Sequence, residues 1–210
     1  EVMQETAEKL CENVQGCKLA YTQSDEISLL LTDYEKITTD AWFGYGIQKM
    51  ASVSASMATL YFNTIFREKY LAYFEYNDAM GESEEKYWKT VYNKIDKALF
   101  DSRVFSIPKE DVANYFVWRQ KDCTKNSISM VAQSYFSHKQ LEGKNGDVKQ
   151  DMLMTQKGVN WNDFSTPCKR GTCIIKKPIE VKPDVIRGKW IVDRDIPIFT
   201  KDREYIESLI

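Results

Sequence analysis

Two β-prone runs, Lys18 to Gln23 and Ile27 to Thr32, are separated only by Ser24, Asp25 and Glu26, and so close a spacing dictates an antiparallel hairpin with an acidic turn. Ile27, Leu29 and Leu31 alternate along the second run, which puts them on one face of the sheet. A lone hairpin is marginal in water, so neighbouring elements must cover it. Upstream, Val2, Met3, Ala7, Leu10 and Val14 form an amphipathic helix over residues 1–14, ended near Gly16 and suited to packing on a sheet. Downstream, Ile47, Met50, Ser54, Met57, Ala58 and Tyr61 recur at spacings of three and four within Trp42 to Phe66, predicting a long buried helix. Asn77 to Ser83 is polar and turn-like, Glu84 to Asp96 is amphipathic, and Ala98 to Ile107 reads as a strand stopped at Pro108 that carries Asp101 and Arg103.

The second half predicts a helix over Asp111 to Asp122, with Val112, Tyr115, Phe116 and Arg119 on one stripe, and another over Asn126 to Leu141, ended by Gly143. A short helix and a loop fill Lys144 to Trp161, two strands occupy Thr172 to Lys177 and Ile186 to Asp193, and the tail from Phe199 is a short helix. The class is α+β. Helix, hairpin, helix, strand is the order that remains when the first strand of a split βαββαβ unit is removed, and a helical and β extension follows it. The chain opens on Glu1, already inside a helical pattern, so a preceding segment is expected. A length of 210 residues suits one domain, or one with an appendage, divided here into residues 1–107 and a C-terminal region 108–210 packed with it as one unit.

Composition narrows the function classes. No run approaches the roughly 18 uncharged apolar residues of a membrane span, and the N-terminus lacks a signal peptide's basic flank and cleavage site, which points to a cytoplasmic protein. Five scattered cysteines argue for reduced thiols, and Cys168 with Cys173 is too sparse a pair for zinc. A net charge of −2 gives no global attraction to nucleic acid, so any RNA site must be a local patch. Lys139, Lys144, Lys149, Lys157, Lys169 and Arg170 make the later half locally basic, with Trp161 available for stacking on a base.

Ser24, Asp25 and Glu26 are the first candidates for chemistry, because adjacent carboxylates at a rigid turn supply the hard oxygen ligands that Mg²⁺ requires; solvated turn acids are the plain alternative. Lys49 lies off the apolar stripe of its helix, where an ammonium could meet a triphosphate, and Arg103 could offer a bidentate fork to the same group or pair with Asp101. Arg119, Asp122 and Asn126 are spaced by three and four and share a face if one helix runs through them, either as a structural network or as nucleotide or RNA contacts. His138, the single histidine, falls near a helix end, where the dipole favours a cation and a capping or RNA-contact role.

Several segments carry a family resemblance. Ala20-Tyr21-Thr22-Gln23-Ser24-Asp25-Glu26-Ile27-Ser28 resembles a Ser-Asp-Glu motif with its flanking strands, and Phe100-Asp101-Ser102-Arg103-Val104 resembles a Phe-Asp-x-Arg strand. Trp118-Arg119-Gln120-Lys121-Asp122-Cys123 and its sequel, Thr124 to Met130, resemble a Trp-Arg-Gln-x-Asp block. Phe136 to Leu141 and Lys157 to Asp163 continue the series in order. Together they resemble the tRNA-histidine guanylyltransferase family, within it the guanylyltransferase-like proteins of prokaryotic type.

The resemblance implies a polymerase-type palm and a 3′-5′ nucleotidyltransferase that adds nucleotides to the 5′ end of tRNA. In such enzymes a nucleoside triphosphate, ATP or GTP, activates the RNA 5′-phosphate, and the 3′-hydroxyl of an incoming nucleotide then attacks it. Two Mg²⁺ ions would assist. Carried over by position, Asp25 is a metal ligand, Glu26 an essential neighbouring carboxylate, and Ser24, Lys49, Arg103 and Asn126 are nucleotide contacts. Arg119, Asp122, Ser127, His138 and Lys139 fall to tRNA contact or a structural network. The resemblance also implies a homotetramer.

Two departures qualify this. The family's Asp-Gly-Arg-x-Phe-His motif, which supplies another metal-binding aspartate, occurs nowhere in the sequence, so these 210 residues alone are not expected to be catalytically competent. Where eukaryotic enzymes that guanylate histidine tRNA carry His-Ile-Asn-Asn, this chain has Thr124-Lys125-Asn126-Ser127, so the resemblance implies template-directed repair of 5′-truncated tRNA, with guanylate addition to histidine tRNA as the alternative. The rivals are a catalytically inactive tRNA-binding module and a palm-type nucleotide cyclase.

Overall fold

A computed structural model describes residues 1–76, 81–182 and 185–210. In chain order the elements are α1 (Val2–Asn13), β1 (Cys17–Gln23), β2 (Glu26–Leu31), α2 (Ile47–Tyr76), α3 (Glu82–Tyr92), α4 (Val112–Tyr135), α5 (His138–Leu141), α6 (Gly146–Lys157), α7 (Thr166–Arg170), β3 (Thr172–Lys182), β4 (Val185–Asp193) and α8 (Glu204–Glu207). Of the turn-like segment read at Asn77 to Ser83, residues 77–80 lie outside the described residues.

The sheet is antiparallel in the order β2-β1-β3-β4, so it draws two strands from each half of the chain. The hairpin registers Gln23 against Glu26, while Leu19 faces Ile175 and Thr22 faces Thr172 across β1 and β3. Strand alternation sorts the core into two layers. Ala20 and Ile174 pack under Ala7 and Cys11 of α1, whereas Leu19, Tyr21, Cys173 and Ile175 face Val112, Ala113 and Phe116 of α4 and the tail residues Ile196, Phe199 and Ile206. The alternation read in β2 holds: Ile27, Leu29 and Leu31 pack beside Leu10, Met50 and Ala58 between α1 and α2.

Three expectations are corrected. Ala98 to Ile107 forms no strand and enters no sheet. Its backbone is taken up by α2 instead: the Asn63 side chain accepts from the Ala98 N–H at 3.1 Å and donates to the Ala98 carbonyl at 2.9 Å, and Thr59 Oγ1 accepts from Phe100 N–H at 3.0 Å. Once side chains satisfy those groups, a ladder partner is not required. The helix read as ending at Phe66 continues to Tyr76 and is one-faced rather than buried, with Met50, Ala58 and Ile65 as its buried residues among those described. The two helices read over 111–122 and 126–141 are one, α4, which runs to Tyr135 because neither glycine nor proline interrupts Asp122 to Asn126 and Cys123 continues the buried stripe of Phe116 and Gln120.

Beside the packing of Ile196, Phe199 and Ile206 on Phe116, the buried Gln120 side chain ties the tail to α4. Gln120 Nε2 donates to the Pro197 carbonyl at 2.9 Å, and its Oε1 accepts from the Phe199 N–H at 2.8 Å. Gln120→Leu leaves that N–H buried and unpaired, so a loss of about 1–2 kcal/mol, read as a lowered midpoint of thermal unfolding, is expected.

Candidate active site

The hairpin turn consists of two residues, Ser24 and Asp25, with Ser24 at a φ of 49°. A non-glycine residue in that region marks a tight, strained turn. Both side chains are exposed, and among the described residues no hydrogen bond or ion pair engages the Asp25 carboxylate. Glu26 behaves differently. It accepts from Gln23 Nε2 at 2.8 Å and pairs with the Arg119 guanidinium, whose side chain is only 11% exposed against 52% for Glu26.

Arg119 thus joins α4 to the turn. Its guanidinium also stands 3.7 Å from Asp122 and lies over the Trp118 ring at 4.7 Å, and Asn126 Nδ2 donates to Asp122 at 3.2 Å. The shared face expected of Arg119, Asp122 and Asn126 is realised because α4 is continuous, and Glu26 enters the same network. This clamp is the part of the site that sequence reading missed: Glu26 and Arg119 lie far apart in the chain, and no local pattern pairs them.

Behind the turn, β1 is anchored to α7. Tyr21 Oη donates to the Arg170 carbonyl at 2.7 Å, and burial pushes the phenol well above its ordinary value, so it remains a neutral donor. Gly171 permits the approach. At a φ of +82°, a Cβ there would lie 2.7 Å from Tyr21 Oη and 2.8 Å from the Thr22 carbonyl. Gly171→Ala is expected to destabilise the protein by about 1–2 kcal/mol, measured by denaturant unfolding.

The remaining candidates are not drawn to the turn. Lys49 Nζ sits 4.5 Å from the centroid of the Phe43 ring, beside a segment in which Phe43, Gly44 and Tyr45 all have positive φ. Arg103 is 3.6 Å from Asp101, and both side chains are almost fully exposed, as in an ordinary surface pair. Ser127 Oγ accepts from Trp161 Nε1 at 3.0 Å, and Thr124 Oγ1 donates to the Lys169 carbonyl at 3.1 Å. His138 and Lys139 are exposed at the start of α5, not near the C-terminus of a long helix, so the dipole argument made for His138 does not apply. Among the described residues there is no group of three or more His, Cys, Asp or Glu able to hold a metal, and no helix is long and apolar enough to cross a membrane.

The family model described as tRNAHis guanylyltransferase matches residues 1–108. A bacterial tRNA(His) guanylyltransferase-like protein, solved in complex with ATP, is 46% identical with a TM-score of 0.81, covering 100% of this chain and 78% of its own. One solved in complex with GTP is 43% identical with a TM-score of 0.76, covering 99% and 76%. The probable tRNA(His) guanylyltransferase of Dictyostelium discoideum is 25% identical over 190 residues, 85% of this chain and 65% of the relative. The chain therefore spans slightly less than two thirds of that curated relative. With a family model matched over half its length and a solved relative 46% identical to it that is covered over 78% of its own chain, this chain belongs to the tRNAHis guanylyltransferase family.

Proposed function

We propose that this chain forms the catalytic part of a 3′-5′ nucleotidyltransferase that extends the 5′ end of tRNA, using ATP or GTP to activate the RNA 5′-phosphate. The observation that carries the reading is the hairpin turn, where one carboxylate, Asp25, is free and its neighbour Glu26 is clamped, in a chain 46% identical to an ATP-bound relative. The helix, hairpin and helix fit a polymerase-type palm.

The donor set fits Mg²⁺ in part. This ion takes one or two carboxylates and completes its shell with water and substrate phosphates, so Asp25 would hold one metal-bound triphosphate. Glu26, neutralised by Arg119, is not free to ligate a second ion. When bound, the ion would neutralise charge on the phosphoryl group being transferred. Asp25 orients the triphosphate, and Arg119 holds the turn through Glu26. Lys49, Arg103 and Asn126 are assigned to nucleotide phosphates or base, Ser24 to a phosphate at the turn, and Ser127, His138 and Lys139 to the tRNA side.

Template-directed repair of 5′-truncated tRNA is favoured over guanylation of histidine tRNA, because Thr124-Lys125-Asn126-Ser127 lacks the histidine and second asparagine of the guanylating enzymes. Assembly as a homotetramer belongs to the same reading. A tRNA-binding module without catalysis is the second reading, in which the Arg119–Glu26 pair is a structural network and Asp25 a solvated turn acid.

Full-length protein given Mg²⁺, nucleoside triphosphates and a 5′-monophosphorylated tRNA lacking its first nucleotide separates the two readings. Extension by the templated nucleotide supports the polymerase, whereas binding without extension supports the module.

A further inference from the structure

A groove of about 320 Å³ lies between α4, α7 and the tail, with Lys121, Thr124, Trp161, Lys169 and Arg170 in its wall. No Asp or Glu lines it. Among the described residues, Lys121, Lys169 and Arg170 form no ion pair, so three cations face one concavity on a chain whose net charge is −2. The Lys169 ammonium is committed to the Asn162 carbonyl, which leaves Lys121 and Arg170 to a ligand. Trp161 lines the groove, anchored to α4 by its Nε1 bond to Ser127 Oγ at 3.0 Å, with the Lys169 ammonium 5.9 Å from its ring centroid on one side.

The Arg170 side of the groove lies at the same end of the sheet as the hairpin turn. Arg170 is bound through its carbonyl to Tyr21, and Thr172, two residues on, pairs with Thr22, which is three residues from Asp25.

We infer that this groove is a binding site for a single RNA strand, with Lys121 and Arg170 contacting phosphates and Trp161 stacking on a base. Charge complementarity selects the ligand class. A metal-bound triphosphate seeks carboxylates, of which the groove has none, whereas phosphodiesters need only cations, and every base has a face that can stack on an indole. The strand held here leads towards Asp25. The inference rests on the 5′-end reading above.

The test is anisotropy of a labelled, 5′-phosphorylated single-stranded RNA of about ten nucleotides, titrated with full-length protein across a salt series. Removing two phosphate contacts by Lys121→Gln with Arg170→Gln is expected to lower the slope of log affinity against log salt by about 1.4, since each contact to a single strand contributes about 0.7. Trp161→Ala is expected to weaken binding about tenfold with the slope unchanged, while Trp161→Phe keeps most of the affinity. Lys121→Gln alone changes only an exposed side chain and still lowers the slope by about 0.7, which guards against misfolding of the double variant.

Wild-type binding that none of these variants alters overturns the groove and leaves the 5′-end reading intact. Variants that lose ATP binding but retain the RNA slope also overturn it, by assigning the groove to a free nucleotide. Failure of the wild-type protein to bind any RNA, 5′-truncated tRNA included, removes both the groove and the 5′-end reading.

Discussion

Replacing Asp25 with Asn is expected to reduce 5′-end nucleotide addition by at least about 10²–10³-fold, because metal stabilisation of transferring phosphoryl charge amounts to several kcal/mol and each 1.36 kcal/mol is about a factor of ten. Asn keeps the shape of the side chain and removes the charge that a hard cation needs. The fold should be indifferent to the change: Asp25 is exposed at the turn and no contact among the described residues depends on it, so the unfolding free energy should stay within about 0.5 kcal/mol of wild type. The check is single-turnover extension of a 5′-monophosphorylated tRNA beside a thermal melt. Retained extension would remove Asp25 from the metal site, and a large fall in stability would mean that the residue has a structural role instead.

Arg119→Ala is expected to lower the same activity by about 10- to 100-fold, the usual cost of losing a group that orients a metal ligand, and to raise the Mg²⁺ concentration needed for half-maximal rate. The physical cause is geometric. Arg119 is nearly buried, stacks on Trp118 and grips Glu26 and Asp122 together, so it fixes the hairpin turn relative to α4. Lysine carries a compact, strongly hydrated ammonium that does not stack on the Trp118 ring as the guanidinium does, so Arg119→Lys should rescue only part of the loss. A double-mutant cycle with Glu26→Gln decides how Glu26 acts. If it works through Arg119, the double variant is scarcely worse than Arg119→Ala. Were Glu26 an independent catalytic group, the two losses would multiply.

The effect of the clamp on stability is expected to be smaller than its effect on rate. Glu26 is half-exposed, so its pair with Arg119 is screened by water, and exposed pairs contribute about 0–1 kcal/mol. A pair worth little to folding can still matter for aim, because an ångström of error in a ligand position is felt directly in the reaction.

The sequence by itself determined the local elements near the hairpin. A short acidic turn and an alternation of period two are properties of neighbouring residues, so β1, β2 and the inward face of Ile27, Leu29 and Leu31 were legible, although Glu26, read as a turn residue, is the first of β2. So were α1, β4 and the start of β3, which was read as ending at Lys177 but runs to Lys182, and the ordered motifs that carried the family resemblance. The single α4 was misread as two helices because polar Asp122 to Asn126 resembles a break, although no residue there prevents helix; burial of Cys123 on the common stripe decided it.

Only the tertiary structure decided what residues distant in the chain do to one another. The segment from Ala98 to Ile107 has strand composition, but Asn63 and Thr59 of α2 claim its backbone, and no local pattern reports such competition. Ser24, Asp25 and Glu26 look alike as a motif, yet Arg119, brought over by the packing of Phe116 and Val112 on β1, clamps Glu26 and leaves Asp25 free. The groove beside Trp161 likewise needs α4, α7 and the tail together, with Gln120 fastening the last to the first. Periodicity encodes which face of an element is apolar, whereas the assignment of charge partners depends on distances that exist only after those faces have packed.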